Sequence, residues 1–166
     1  MPFKLSEPIE TKRLYIRQFT QEDYELLVSK LNNAFPEEDY QFFSYFKERD
    51  VSCVLLLLRE SQEVIGYIFL RTFEELKIIE CYLELFPLYT GNGFAIEALR
   101  KLYEYIFTNH KFIQILAFVE PGNTRGWKAV ERSGMKYMGD MFHTGKNSKV
   151  MYFLINKKDY DNQFQY

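Results

Sequence analysis

The sequence predicts a mixed α/β domain in which about four helices flank a central, twisted and mostly antiparallel sheet of about six to seven strands. Three observations support this fold class. Residues 51–85 hold three apolar segments with short polar connections, the pattern of an antiparallel meander. Residues 76–119 run strand, helix and strand, which predicts one parallel strand pair around that helix. Residues 135–155 close the chain with two further strand-like segments around a polar turn.

The first elements alternate between strand and helix. Residues 9–19 alternate apolar and polar side chains and predict a strand. The segment from Thr20 to Asp23 resembles a capping box, so a helix is expected from there to about residue 33. Residues 37–46, acidic and then densely aromatic, predict a second helix. Its rings either pack on the sheet or form one wall of a substrate cleft.

The central strands follow without long loops. Residues 51–59 are almost continuously apolar, which is typical of a strand buried on both faces, and residues 64–71 return as its hairpin partner. Residues 76–85 form the third strand of the meander. Residues 112–119 arrive as a strand after a helix, so we expect them to lie parallel to residues 76–85. A short helix over residues 125–132 then precedes the closing strands.

Composition narrows the function classes. The 166 residues suit one domain, residues 1–166, and 47% of them are hydrophobic, enough to fill a core. A formal net charge of −2 argues against a nucleic-acid binder, which needs a basic surface. The longest strongly apolar run, residues 54–58, is too short to cross a bilayer, and the N-terminus lacks the apolar core of a secretory signal. We therefore expect a cytoplasmic protein that binds neither nucleic acid nor membrane.

Cysteine and histidine spacing gives no metal-binding pattern. Cys53 and Cys81 lie in apolar, strand-like segments without CxxC spacing, so buried thiols are favoured over a disulfide or a metal site. His110 and His143 are far apart in the sequence and lack the short spacing of paired ligands. We therefore expect no metal.

Residues 80–98 carry the main functional signal. A strand ends there, the chain turns through Gly91, Asn92 and Gly93, and a helical pattern follows to about residue 107. Glycines at such a junction let the backbone approach a ligand, and the N–H groups at the helix start attract a phosphate or another anion. The alternative is a tight turn whose glycines bind nothing, because an isolated Gly-x-Gly is weak evidence.

Five segments occur in a distinctive order and spacing. They are residues 10–17 (Glu-Thr-Lys-Arg-Leu-Tyr-Ile-Arg), the meander, residues 89–98, residues 120–123 (Glu-Pro-Gly-Asn) and residues 130–135. Together they resemble the GCN5-related N-acetyltransferase (GNAT) family, and within it the group that includes the ribosomal-protein N-terminal acetyltransferases. The resemblance spans residues 9–155. It implies acetyl-CoA as the acetyl donor, a primary amine as the acceptor, and direct transfer in a ternary complex.

The resemblance implies a cofactor site made largely of main chain. The family's phosphate-binding signature, Gln/Arg-x-x-Gly-x-Gly/Ala, corresponds here to Thr90 through Ala95, with Thr90 in place of the usual side chain. Main-chain N–H groups would hold the pyrophosphate, and the pantetheine arm would lie along the preceding strand. Arg125 and Lys128 are basic and close enough in sequence to reach the adenosine phosphates, or are simply solvated. The implied cofactor-binding residues are Leu83, Leu85, Thr90, Gly91, Asn92, Gly93, Phe94, Ala95, Asn123 and Lys128.

Acetyl transfer needs a base for the amine, and the resemblance gives this role to Glu80, at the position of the family's strand glutamate. The alternative for Glu80 is a solvated or salt-bridged residue. Glu84 and Tyr82 share its face of an unbulged strand and are the fallback candidates. The main-chain N–H of Leu85 would polarise the thioester carbonyl if the strand splays there, as it does in the family.

The proton donor for the leaving thiolate stays open. Many relatives place a tyrosine where this chain has Val130, and others place a serine where it has Gly126. Tyr137, Ser133 or a water molecule are the replacements, or the thiolate leaves without assistance.

Three functional interpretations follow. The first is an acetyl-CoA-dependent N-acetyltransferase acting on a peptide N-terminus, a polyamine or an aminoglycoside-like amine, and the acidic residues 37–39 favour a cationic acceptor. The second is a CoA-binding or regulatory module without turnover, because both usual proton donors are missing. The third is a nucleotide-binding domain that uses the same glycine turn. The oligomeric state stays open, with a homodimer as one option.

Overall fold

The computed structural model describes residues 2–34, 48–144 and 147–164, which form one eight-stranded sheet with helices on both faces. The strands are β1 (Ile9–Glu10), β2 (Leu14–Gln18), β3 (Val51–Leu58), β4 (Val64–Phe73), β5 (Ile78–Leu85), β6 (Gln114–Val119), β7 (Lys136–His143) and β8 (Ser148–Asn156). The α-helices of these ranges are α1 (Tyr24–Ala34), α2 (Phe94–Asn109), α3 (Thr124–Arg132) and α4 (Lys157–Phe164). Across the sheet the order is β1-β2-β3-β4-β5-β6-β8-β7. The mixed α/β fold expected from the sequence is confirmed.

The sheet has eight strands where the sequence predicts about six to seven, because residues 9–19 form a hairpin of two strands instead of one strand. β1 and β2 pair antiparallel, with Ile9 opposite Ile16. Between them, the hydroxyl of Thr11 accepts a hydrogen bond from the main-chain N–H of Leu14, and the N–H of Thr11 donates to the carbonyl oxygen of Leu14, both at 2.9 Å. A threonine side chain that satisfies the backbone of the turn makes this reversal favourable without a glycine.

The central meander and the single parallel pair are confirmed. β3, β4 and β5 pair antiparallel in sequence order, and β5 and β6 are parallel. The parallel pairing extends only from Ile78 with Gln114 to Glu80 with Leu116. Beyond these residues β5 stays paired with β4 and β6 stays paired with β8, so the two strands separate toward their C-terminal ends. This separation opens a gap in the middle of the sheet.

Two hydrophobic clusters cover the two faces of the sheet. On one face α2 inserts Ala98, Leu102 and Ile106, all fully buried, against side chains of β2 to β6 and β8. On the other face α1 packs through Leu27 and Leu31. Burying each of these leucine or isoleucine side chains stabilises the fold by about 1.5–3 kcal/mol. The packing of α2 therefore holds the start of this helix beside the gap between β5 and β6.

Helix boundaries follow the sequence at α1 and depart from it at the C-terminus. The main-chain N–H of Thr20 donates to the carboxylate of Asp23, 2.8 Å, in the expected capping box, and a short 3-10 turn leads into α1. The second predicted helix, residues 37–46, lies outside the described residues. The sequence does not predict α4, because only Tyr160 among its described side chains is buried and no helical period results. Within the described ranges no helix is long and apolar enough to span a membrane.

Candidate active site

A cavity of about 410 Å³ occupies the gap between the separated ends of β5 and β6. Its walls are Cys81–Glu84 of β5, Ala117–Val119 of β6, the start of α2 with Ala95, and the first turns of α3. Because β5 and β6 do not pair along this stretch, their facing main-chain edges present hydrogen-bonding groups to a ligand between them. The gap therefore suits a narrow, extended molecule that lies along a strand.

The glycine turn leads into α2 beside this cavity. Gly91 and Gly93 have φ angles of 83° and 79°, a left-handed conformation that glycine adopts without strain. Gly93 is the N-cap of α2 and offers no side-chain cap to the first N–H groups of the helix. A Cβ atom built on Gly91 would meet nothing within 4 Å, so the space in front of the turn is open. These features fit an anionic group held by main-chain N–H donors.

Thr90 begins this turn and is bound to Arg125 of α3. The hydroxyl of Thr90 donates to the main-chain oxygen of Pro87, 2.8 Å, and accepts a hydrogen bond from Nη1 of Arg125, 2.5 Å. The side-chain amide of Asn92 donates to the main-chain oxygen of Thr90, 3.2 Å. A guanidinium from another element therefore contacts Thr90, the residue that the resemblance aligns with the Gln or Arg of the phosphate-binding signature. The sequence alone predicts only that Arg125 either reaches the adenosine phosphates or is solvated, and it does not predict this contact with Thr90.

Arg13, at the turn between β1 and β2, contacts both the glycine turn and the first turn of α2. Its Nη1 donates to the main-chain oxygen of Asn92, 2.9 Å, its Nε donates to Glu97, 2.8 Å, and its guanidinium lies 4.2 Å from the ring centre of Phe94. The hydroxyl of Thr11 also donates to Glu97, 2.6 Å. Burial raises the pKa of Glu97, whereas the hydrogen bonds from Thr11 and Arg13 lower it. The lowering effects together are the larger, so the pKa of Glu97 falls below its ordinary value. Sequence reasoning missed this network, because it joins residues more than 75 positions apart.

Asn123 caps α3 at the cavity wall. Its side-chain oxygen accepts a hydrogen bond from the main-chain N–H of Gly126, 2.9 Å, and both residues line the cavity. A Cβ atom at position 126 would collide with the side chain of Asn123 as it stands, so any larger residue there would require this side chain to shift. Lys128 is exposed, with Nζ 5.8 Å from the ring centre of Trp127, and is not part of the cavity wall that the described residues form.

The C-terminal end of β5 lies very close to β4. Leu83 and Leu85 are partly buried against the core on the α2 side, and Leu83 lines the cavity. Gly66 stands opposite Leu85, and a Cβ atom at Gly66 would collide with the main-chain oxygen of Glu84. A glycine here is therefore required for the close approach of the strand that forms the cavity wall.

Three polar side chains of β5 share the sheet face opposite α2, because they alternate with residues of the core. Glu80 is the last residue of β5 that is paired on both sides, opposite Arg71 of β4 and Leu116 of β6, and it is half-buried. Tyr82 and Glu84 line the cavity, and the hydroxyl of Tyr82 donates to the carboxylate of Glu84, 2.7 Å. The structure thus brings two carboxylates and a phenol to one side of the gap.

The hydroxyl groups suggested as replacement proton donors lie elsewhere. Tyr137 is on β7, which β8 separates from β6. Its hydroxyl donates to Asp140, 2.6 Å, and this hydrogen bond raises the pKa of Tyr137. Ser133 is fully buried, and its hydroxyl donates to the main-chain oxygen of Val130, 2.6 Å, and shares a hydrogen bond with Tyr103, 2.7 Å. Neither hydroxyl belongs to the cavity wall as the described residues form it.

Both cysteines are buried and unpaired with each other, and Cys81 lines the cavity. Burial raises the pKa of both thiols, that of Cys81 to about 12. The cavity wall therefore carries a neutral thiol at physiological pH. In the part of the chain that the structure describes, no group of three or more His, Cys, Asp or Glu side chains is arranged to hold a metal ion.

The sequence matches one known family over most of its length. A family model described as an acetyltransferase (GNAT) domain matches residues 13–136. No significant match was found among curated protein sequences. The family match includes β2, the meander, the glycine turn and α3, and so it covers the cavity walls.

Solved acetyltransferase structures share the fold. A Vibrio cholerae protein provisionally assigned as a ribosomal-protein-serine acetyltransferase is 16% identical, with 93% of this chain and 99% of that chain covered and a TM-score of 0.74. AAC(6')-Ib in complex with paromomycin and acetyl-CoA is 16% identical, with coverage of 93% and 99% and a TM-score of 0.77. A spermidine N-acetyltransferase SpeG chimera from Vibrio cholerae and hSSAT is 18% identical, with coverage of 92% and 100% and a TM-score of 0.74. With the family match over residues 13–136, the chain belongs to the GNAT acetyltransferase family.

Proposed function

We propose that this protein is an acetyl-CoA-dependent N-acetyltransferase that transfers an acetyl group directly to a primary amine while both substrates are bound. The observation that carries this proposal is the cavity between β5 and β6, which lies beside the glycine turn and has Glu84 in its wall and Glu80 at the point where the strands part. The related fold of AAC(6')-Ib binds acetyl-CoA, which supports the same donor here.

The described residues fit acetyl-CoA as the donor. The main-chain N–H groups of Gly91, Gly93, Phe94 and Ala95 suit its pyrophosphate, because the left-handed glycines clear the approach. The edge of β5 beyond Glu80, which includes Leu83 and Leu85, is not paired with β6 and suits the amide-containing pantetheine arm, and Asn123 offers a polar contact from the opposite wall. Lys128 is exposed and suits the adenosine phosphates. When bound, acetyl-CoA supplies the activated thioester carbonyl.

The acceptor amine must lose a proton before or during its attack on the thioester. We assign acceptance of this proton to Glu80, which is half-buried where β5 and β6 separate. Because Glu80 is outside the described cavity wall, the proton reaches it through a water molecule. Glu84 is the competing carboxylate because it lines the cavity directly, although one of its oxygens accepts the hydrogen bond from Tyr82.

We consider three alternative proton donors for the leaving thiolate. Tyr137 is the candidate implied by the sequence, and its hydroxyl is held by Asp140 on β7. Tyr82 lines the cavity, and its hydroxyl already donates to Glu84. Water is the third source. If one of the two tyrosines is the proton donor, we expect its substitution by phenylalanine to lower kcat by about 100-fold. If Tyr82→Phe and Tyr137→Phe both keep full activity, water is the remaining donor.

The acceptor side of the cavity favours a cationic amine. Glu80 and Glu84 lie on the sheet face opposite α2. Phe118 in the cavity wall stacks on Tyr152, with ring centres 5.5 Å apart. Carboxylates attract an ammonium group, and aromatic faces hold a cation or its methylene chain. The acidic residues 37–39, which also favour a cation, lie outside the described residues. By their names, the three compared proteins act on a ribosomal-protein serine, an aminoglycoside and spermidine, which supports testing these three acceptor classes first.

The test is an acceptor screen with the purified protein. Acetyl-CoA is mixed with spermidine, an aminoglycoside or a peptide with an N-terminal serine, and CoA release and the mass of the product are measured. We expect one class to gain a single acetyl group, and Glu80→Gln to lower kcat by about 100-fold with acetyl-CoA affinity retained. Glu84→Gln is the matched control, since it makes the same change on the same strand face. A larger loss of kcat in Glu84→Gln would transfer the role of base to that residue.

A second candidate function is a CoA-binding or regulatory module without turnover. The observation that favours it is the absence of a hydroxyl at Val130 and Gly126, together with the burial of the hydroxyl of Ser133. Such a module would bind acetyl-CoA and release no CoA with any amine. Thermal unfolding measures binding alone, because a ligand at 100 times its Kd stabilises the folded state by about 2.7 kcal/mol. Stabilisation by ATP or NAD without stabilisation by CoA would favour a nucleotide-binding domain instead.

The remaining expectations extend the same proposal. The described residues share one continuous sheet, which supports a single domain over residues 1–166. The two buried free cysteines support a reducing, cytoplasmic location. A homodimer is tested by light scattering of the purified protein.

A further inference from the structure

Arg125 reaches from the first turn of α3 to the glycine turn in front of α2. Its Nη1 donates to the hydroxyl of Thr90, 2.5 Å, and that hydroxyl is oriented to accept because its own proton goes to the main-chain oxygen of Pro87, 2.8 Å. One nitrogen of the guanidinium is thereby anchored. Its other N–H groups remain for a second partner, since an arginine side chain carries five such donors.

The positive charge of Arg125 is not neutralised by any carboxylate in the described part of the chain. Four other arginines do contact a carboxylate: Arg13, Arg17, Arg59 and Arg71. The described partner of Arg125 is instead the neutral hydroxyl of Thr90. A guanidinium that is not paired with a carboxylate and lies beside a row of main-chain N–H donors is suited to bind an anion. The strongest contact of this kind is a bidentate hydrogen bond to a phosphate.

The location of Arg125 is electrostatically unfavourable without an anion. A basic side chain in the first turn of a helix faces the positive end of the helix dipole, and α3 has no acidic residue in that turn. The contact with Thr90 brings the same guanidinium toward the start of α2, which is a second positive end. Local conflicts of this kind are expected at functional sites. An anion bound between the two helix starts would offset the unfavourable position of the Arg125 guanidinium.

We propose that Arg125 binds the pyrophosphate of acetyl-CoA and supplies the positive charge that Thr90 lacks. The inference rests on the proposed function, because it needs a CoA-type ligand in the cavity. Arg13, the other guanidinium at the turn, does not take this role because Glu97 neutralises it and Asn92 binds its Nη1. The signature side chain is thus replaced by an arginine that is distant in sequence and adjacent in space.

Calorimetric titration of Arg125→Ala with acetyl-CoA tests the proposal. We expect its Kd to rise about tenfold or more, since a charge-assisted contact with a phosphate is lost. Arg132→Ala is the matched control, because it removes a positive charge from the opposite end of the same helix, where Arg132 is exposed. We expect less than about a twofold change for this control. An unchanged Kd in Arg125→Ala overturns the inference.

CoA analogues that lack individual phosphate groups identify which phosphate Arg125 binds. Dephospho-CoA lacks the 3′-phosphate, and S-acetylpantetheine lacks the pyrophosphate. We expect the penalty of Arg125→Ala to persist with dephospho-CoA and to vanish with S-acetylpantetheine. Loss of the penalty with dephospho-CoA would assign Arg125 to the 3′-phosphate, and a penalty that persists with S-acetylpantetheine would indicate a general structural effect. Either result overturns the inference.

A charge transfer within the site separates charge from structure. We expect Thr90→Arg, added to Arg125→Ala, to restore the Kd for acetyl-CoA to within about threefold of the wild type, because the guanidinium returns to the same turn. No recovery would overturn the claim that Arg125 acts through its charge. If the wild type fails to bind acetyl-CoA, both the proposed function and this inference fall. If the wild type binds and Arg125→Ala binds equally well, only the inference falls.

Discussion

Arg13 and Glu97 form an ion pair, 2.8 Å between Nε and Oε1, that joins the turn after β1 to the first turn of α2. The same guanidinium donates to the main-chain oxygen of Asn92, so the pair holds a segment in which Gly91 and Gly93 would otherwise add conformational freedom. A cradle held in place before binding loses less conformational entropy when it receives a ligand. The pair therefore positions the glycine turn, although neither Arg13 nor Glu97 lines the cavity.

We expect Arg13→Ala to lower the free energy of unfolding by about 2 kcal/mol, because it leaves the partly buried carboxylate of Glu97 without its charged donor. Acetyl-CoA affinity should fall as well, since the glycine turn loses the contact at Asn92. Urea denaturation and calorimetric titration measure the two effects. Arg59→Ala is the control, because the ion pair of Arg59 with Glu10 is longer, 3.7 Å, and more exposed. Equal effects of the two substitutions would contradict a positioning role for Arg13.

The stability contributed by Glu97 should depend on pH. The folded-state pKa of Glu97 is lowered from its ordinary value of 4.5, so its contribution is present above that value and is lost as the pH falls through the lower, folded pKa. We expect the unfolding free energy of the wild type to exceed that of Glu97→Gln at neutral pH, and the difference to shrink in acid. Urea denaturation of both proteins over a pH series measures this. A difference that stays constant down to about pH 3 would sink the prediction.

Gly66→Ala should damage the site through the backbone of β5. The added Cβ would collide with the main-chain oxygen of Glu84, and rigid backbone atoms cannot move aside without shifting the strand. We expect a loss of about 1–3 kcal/mol in unfolding free energy, the usual cost of overpacking, together with weaker acetyl-CoA binding. Gly122→Ala is the control, because a Cβ there meets nothing within 4 Å. Near-wild-type stability of Gly66→Ala would show that β5 tolerates displacement at this point.

The thiol of Cys81 should be unreactive in the folded protein although it lines the cavity. Burial raises its pKa from 9.0 to about 12, which lowers the thiolate fraction near neutral pH by roughly a thousandfold. We expect iodoacetamide to leave Cys81 unmodified in native buffer and to alkylate it in concentrated urea, as followed by peptide mass mapping. Cys53, buried away from the cavity, serves as the internal reference. Rapid native alkylation of Cys81 alone would mean that the cavity exposes this thiol to solvent.

The sequence by itself determined the fold class and the location of the glycine turn. The meander, the parallel pair and α2 are visible in local apolar periodicity, because burial of one strand or helix face requires it. Gly91 and Gly93 are likewise local signals, since their positive φ angles are a property of each residue. The split of residues 9–19 into β1 and β2 escaped the pattern, because a threonine rather than a glycine makes the turn.

Only the tertiary structure decided which distant side chains complete the site. Arg13 with Glu97 and Arg125 with Thr90 are joined across 84 and 35 positions, and no local pattern encodes such pairs. The sheet order also places Tyr137 two strands away from β6, although it follows the cavity residues closely in sequence. Local periodicity specifies each element, whereas the order of the strands and the packing of α2 and α3 determine which elements meet. The glycine turn is therefore readable from the sequence, and its supporting and charged partners are not.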